Sequence, residues 1–204
     1  MEFNAALLAG GRSTRMACDK AFLDWHGRPL WRVQLEKLAA VQPAQLFLAA
    51  RANQDFPAPL SSVPVIRVND PAGEDCGPLG AITRCLRLSS RPLLVLAVDM
   101  PAMTAEFLEN RLLPAVSEKS GAVFHGASGY EALAAVYMPA ALPLVEAALS
   151  AHRFALQPLV VEMAAAGHCS VVELQNDEAS FFANANTPEE AARLLGFPNQ
   201  RARA

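Results

Sequence analysis

The run Phe3-Asn4-Ala5-Ala6-Leu7-Leu8-Ala9, followed at once by Gly10-Gly11-Arg12-Ser13-Thr14-Arg15-Met16-Ala17-Cys18-Asp19-Lys20, decides how the chain is read. A short, nearly continuous apolar run predicts a strand covered on both faces, here ended by glycines and followed by cations. Gly10 and Gly11 carry no side chain, so the backbone can turn sharply and bring its N–H groups close to an anion. Arg12, Arg15 and Lys20 place three cations within one short segment. That charge suits a nucleoside triphosphate, whose departing pyrophosphate must be neutralised. A βα turn with solvated basic residues is the plainer reading of the same stretch. Two better-known phosphate loops are excluded: no Gly-x-x-x-x-Gly-Lys-Ser/Thr occurs, and no third glycine completes a dinucleotide fingerprint.

Similar apolar runs recur at Gln45–Ala50, Pro64–Val68, Pro92–Val98, Gly121–Phe124, Ala132–Met138 and Ser170–Leu174. Between them lie helical patterns at Leu30–Ala40, Leu79–Leu88, Ala105–Lys119, Ala140–Ala151, Leu156–Ala166 and Pro188–Leu195. Thr104 reads as a helix cap. Thr187-Pro188-Glu189-Glu190 is a strong helix start, with a capping hydroxyl, a first-turn proline and acids against the dipole. Strands alternating with helices predict an α/β fold: a Rossmann-like, doubly wound, mostly parallel sheet with helices on both faces. We expect a single domain over residues 1–196 and a flexible tail over 197–204.

Composition narrows the function classes. With 52% hydrophobic and 18% charged residues in 204, the chain can build a buried core. A net charge of −3 offers nothing global to nucleic acid or an anionic membrane. Apolar runs are too short to span a bilayer, and no basic stretch precedes a signal-like core. Cys18, Cys76, Cys85 and Cys169 lack Cys-x-x-Cys spacing, which fits reduced thiols and a cytoplasmic setting.

Ligands of such sheets bind at the carboxyl ends of the strands. Gly10 to Lys20 follows the first strand, Asp70 the third and Asp99 the fourth, so all should converge on one edge. Asp99 closes Leu93-Leu94-Val95-Leu96-Ala97-Val98 and is a candidate Mg²⁺ ligand, or else a turn cap. Asp70-Pro71 can likewise be only a turn. Gly77-Pro78-Leu79 opens a helix whose first amides can face an anion or a base edge; an ordinary proline-started helix is the alternative.

Leu8-Ala9-Gly10-Gly11-x-x-x-Arg15-Met16 with Asp19-Lys20, then Gly77-Pro78-Leu79, Val98-Asp99-Met100-Pro101 and Asn184-x-Asn186-Thr187-Pro188-Glu189, occur in that order. Together they resemble the molybdenum cofactor guanylyltransferases, within the nucleotidyltransferases of Rossmann-like fold. The resemblance implies transfer of GMP from GTP to molybdopterin bearing its metal, with release of pyrophosphate and Mg²⁺ as cofactor. It implies that Arg15, Lys20 and Asp99 are catalytic, with Asp99 the metal ligand. Leu8, Ala9, Gly10, Gly11, Arg12, Lys20, Asp70, Gly77, Pro78, Leu79 and Asp99 would border the nucleotide, and Arg153, Asn184 and Asn186 the acceptor. Transient contact with molybdoenzymes or their chaperones follows from the same resemblance. The chain departs from the family's pattern at Ala17-Cys18, at Ala50-Arg51-Ala52-Asn53 and in the arginine-poor Ser150–Phe154. A cytidylyltransferase relative typically reads Leu-Ala-Ala-Gly at the first motif, so Gly10-Gly11 favours guanine. A relative acting on another phosphorylated acceptor stays open. So does a non-catalytic cofactor-binding adaptor, against which Lys20 and Asp99 argue.

Overall fold

The computed structural model describes residues 1–11, 19–57, 61–71, 76–185, 190 and 193–194. Along the chain run β1 (Asn4–Leu8), β2 (Asp24–Trp25), β3 (Arg28–Pro29), α1 (Leu30–Ala40), β4 (Leu46–Arg51), β5 (Val65–Asp70) and α2 (Gly77–Leu88). There follow β6 (Leu93–Ala97), α3 (Ala105–Phe107), β7 (Gly121–Gly126), β8 (Gly129–Tyr137), α4 (Leu142–Ser150), α5 (Leu156–Ala165) and β9 (Cys169–Glu173).

Seven strands form one sheet in the order β5-β4-β1-β6-β8-β7-β9. β5, β4, β1 and β6 are parallel; β8 runs against both β6 and β7, and β9 is parallel to β7. The sheet is therefore mostly parallel, and β8 is the strand that reverses. Alternation along β1 assigns its faces. Ala5 and Leu7 meet Leu30, Leu35 and Leu38 of α1 and Phe107 of α3. Ala6 and Leu8 meet Leu79, Ile82 and Leu86 of α2, in a cluster continued by Val145 of α4 and Leu159 of α5. Covered on both sides, β1 and β6 are buried at every residue, which is why their sequences read as unbroken apolar runs.

The predicted strands are all present, with no end shifted by more than three residues. Two expectations change. The helix predicted over Ala105–Lys119 begins as foreseen, with Thr104 Oγ1 accepting from Phe107 N at 3.1 Å. It then widens into a π turn at Leu108–Leu112, tightens into a 3₁₀ turn at Leu113–Ala115 and stops. Pro114 supplies no N–H there, and Ser117 Oγ instead takes the amides of Lys119 and Ser120 at 3.3 and 3.1 Å. The β2–β3 hairpin was not foreseen. It turns through His26 and Gly27, both at positive φ, with Asp24 Oδ1 accepting from Gly27 N at 2.7 Å. The start of the last predicted helix (Thr187–Glu189) and the 197–204 tail lie outside the described residues, while Glu190, Arg193 and Leu194 are helical. Among the described residues no helix is long and apolar enough to cross a membrane.

Candidate active site

Register lines up the strand ends. Leu8 stands beside Ala49 of β4 and Ala97 of β6, and Arg51 stands beside Asp70. Ala9 N donates to Ala49 O at 2.8 Å, and Val98 N to Leu8 O at 3.1 Å. The residues that leave these strands therefore share one edge of the sheet.

Gly10 is the first. A Cβ there would collide with Asp70 Oδ2 and lie 3.4 Å from backbone atoms of Ala50 and Arg51, so any larger residue must push the Asp70 carboxylate aside. Gly11 is exposed and would meet nothing within 4 Å. Asp70 is held from behind by an ion pair to Arg84 of α2. Gly77 opens α2 at φ +55°, a left-handed conformation, with exposed Pro78 in its first turn.

Asp19 and Lys20 return the chain to the same edge. Asp19 Oδ1 accepts from Ala21 N at 3.1 Å and caps the 3₁₀ turn Lys20–Phe22. Its Oδ2 takes Arg51 at 2.5 Å and Gln54 Nε2 at 2.7 Å. Lys20 Nζ donates to Asp99 Oδ2 at 3.1 Å, across 79 positions of sequence. Both side chains are partly exposed, where an ion pair adds at most about 1 kcal/mol to stability.

The turn carrying Asp99 is braced from α1. Gln34, fully buried, places Nε2 2.8 Å from Met100 O, 3.3 Å from Val98 O and 3.4 Å from Ala97 O. Lys37 Nζ donates to Pro101 O at 2.6 Å, and burial lowers its pKa to about 8. On the far side, Ala185 N donates to Asp99 O at 2.9 Å, which brings exposed Asn184 next to the site.

The structure thus gathers Gly10, Asp19, Lys20, Asp70, Asp99 and Asn184 at one edge. Leu8, Ala9 and Leu79 are buried core residues, so any ligand contact from them passes through backbone atoms. Arg153 stands on the exposed turn between α4 and α5, paired with Glu162 of α5. Arg12, Arg15 and Asn186 lie outside the described residues. Arg51, Gln54, Arg84, Gln34 and Lys37 were missed as supports. Only Gln34 carried a sequence signal, as a lone amide on the apolar face of α1 beside Trp31, Leu35 and Leu38.

The family described as MobA-like NTP transferase domain matches residues 5–171. A probable molybdenum cofactor guanylyltransferase of Opitutus terrae is 34% identical over 192 residues, covering 92% of each chain. A molybdenum cofactor guanylyltransferase of Xanthomonas euvesicatoria is 31% identical, covering 95% of this chain and 94% of its own. Among solved structures, molybdopterin-guanine dinucleotide biosynthesis protein A of Archaeoglobus fulgidus superposes with TM-score 0.72 at 20% identity, over 94% of this chain and 96% of that one.

Proposed function

The chain belongs to the MobA-like NTP transferase family, and from that premise we propose that it is a molybdenum cofactor guanylyltransferase, moving GMP from GTP to molybdopterin. The observation that carries the reading is the Lys20–Asp99 contact at the carboxyl edge, beside the Gly10 turn. In the reaction an oxygen of the pterin's terminal phosphate forms a bond to the α-phosphorus of GTP. The bond from that phosphorus to the bridging oxygen breaks, and pyrophosphate leaves with the electron pair. The nucleophile is already anionic at pH 7, so no general base is needed, and positioning and charge neutralisation supply the catalysis.

Gly10 and Gly11 offer backbone N–H groups to the phosphates, while Lys20, with Arg12 and Arg15, neutralises the charge that builds on the leaving group. Asp70, Gly77 and Pro78, with Leu79 behind them, border the base. Asn184, Asn186 and Arg153 serve the acceptor, Arg153 after leaving Glu162. The carboxylate of Asp99, partly exposed at this edge, suits a divalent metal that takes most of its remaining ligands from the substrate, since among the described residues no group of three or more His, Cys, Asp or Glu gathers to hold an ion by itself. Mg²⁺ is commonly held by one or two carboxylates plus substrate phosphates. Asp99 would hold it, and when bound it would offset charge on the triphosphate. The product would pass by transient contact to a molybdoenzyme or its chaperone, in the cytoplasm.

Incubation with Mg²⁺, each nucleoside triphosphate in turn and molybdopterin or other phosphorylated acceptors tests this reading, with pyrophosphate and product identified. Pyrophosphate release with GTP and molybdopterin is expected. Preference for CTP, or for a sugar or alcohol phosphate, would overturn the assignment.

A further inference from the structure

Gln54 follows β4 in Ala52-Asn53-Gln54-Asp55, and it is only 5% exposed. A buried carboxamide brings two N–H donors and a carbonyl, and each one left unmet costs stability. All three are met. Oε1 accepts from Arg51 N at 2.8 Å, while Nε2 donates to Ala9 O at 2.9 Å and to Asp19 Oδ2 at 2.7 Å. The partners fix which end is nitrogen, because a carbonyl and a carboxylate can only accept. Its backbone is tied as well: Gln54 N donates to Arg51 O at 3.1 Å, and Gln54 O accepts from Arg67.

Ala9 and Asp19 flank the glycine- and cation-bearing stretch, and Asp19 adjoins Lys20, which meets Asp99 at 3.1 Å. We propose that Gln54 is the positioning residue of Asp19 and Lys20: its one amide ties Ala9 and Asp19 to the end of β4 and, through Asp19, sets Lys20 against Asp99. The role rests on the nucleotidyl-transfer reading of the site. Glutamate at this position would face the Ala9 carbonyl and the Asp19 carboxylate with further oxygens, so length alone does not qualify a side chain for it.

Gln54→Met keeps the length and removes the donors. With GTP, Mg²⁺ and molybdopterin, kcat/KM should fall about 10- to 100-fold, as when a catalytic cation is slightly misplaced. Because Gln54 acts through Asp19, the Gln54→Met/Asp19→Ala pair should lose no more kcat/KM than the worse single variant. Wild-type kcat/KM in Gln54→Met, or losses that multiply in the double variant, would overturn the role. Should Gln54→Met fail to fold, the Gln54 side-chain amide resonances decide: they should shift between wild type and Asp19→Ala, and unchanged resonances would overturn it. If the wild-type protein transfers no nucleotide, the functional reading fails on its own and those resonances still test the tie.

Discussion

A β-carbon at position 10 would collide with Asp70 Oδ2, whereas one at position 11 would meet nothing within 4 Å. The neighbouring glycines should therefore separate packing from chemistry. Gly10→Ala must displace Asp70, which Arg84 holds in place, and should destabilise by roughly 1–3 kcal/mol, as overpacking does. Gly11→Ala should leave stability within about 0.5 kcal/mol, yet lower activity if its backbone lies against the triphosphate. Thermal melts and pyrophosphate assays on both variants check this; equal melting temperatures would refute the packing argument. Asp99 invites a second comparison. Asparagine keeps its shape, so a turn cap would survive Asp99→Asn. A carboxylate that binds metal and faces Lys20 would not. Turnover should fall by orders of magnitude with the melting temperature little changed, and normal Mg²⁺-dependent turnover in a folded Asp99→Asn protein would reject the metal role.

The α1 helix supports the site from beneath, through Gln34 and Lys37 on the Asp99 turn. Burial holds the Lys37 amine at about 8, against its ordinary 10.5. Between those values the unfolded chain keeps a proton that the folded chain has released, so this group adds stability as pH rises through the window. Lys37→Met should remove that increment, visible as a smaller gain in chemical-denaturation stability from pH 8 to 10. An identical slope in both proteins would rule out the titration. Such supports show where the sequence was readable. Continuous apolar runs disclosed β1, β4 and β6, because burial on both faces leaves no polar positions to interrupt them. The β2–β3 hairpin stayed hidden because each strand has only two residues, too few for any alternation. Gln54 was unreadable because the two acceptors of its Nε2 lie 45 and 35 positions away, and its one local bond, to Arg51 N, is what any solvated turn amide can make.

Taken as a molecule, the sheet divides its labour at the strand order. The parallel run β5-β4-β1-β6 presents Arg51, Asp70, Ala9 and Val98 at one edge, next to the Gly10 turn and Asp99. Antiparallel β8 then separates this half from β7 and β9. A nucleotide seated across the parallel half would touch the turn after β1, the ends of β5 and β6 and the start of α2. It would link segments that are far apart in sequence, so its binding should stabilise the whole cooperative unit. A ligand that binds only the folded chain raises stability by RT ln(1 + [L]/Kd), about 2.7 kcal/mol at one hundred times Kd. GTP with Mg²⁺ should therefore raise the melting temperature, and by more than CTP with Mg²⁺, if Gly10-Gly11 marks a guanine site. Because Asp99 would hold the ion, the gain from GTP should shrink when Mg²⁺ is replaced by EDTA, and Asp99→Asn should lose that metal-dependent part while keeping some binding through the loop. Thermal melts across both nucleotides, with and without metal, separate the outcomes. A larger shift with CTP would assign the site to cytosine, and an equal shift with and without Mg²⁺ would remove Asp99 from metal binding.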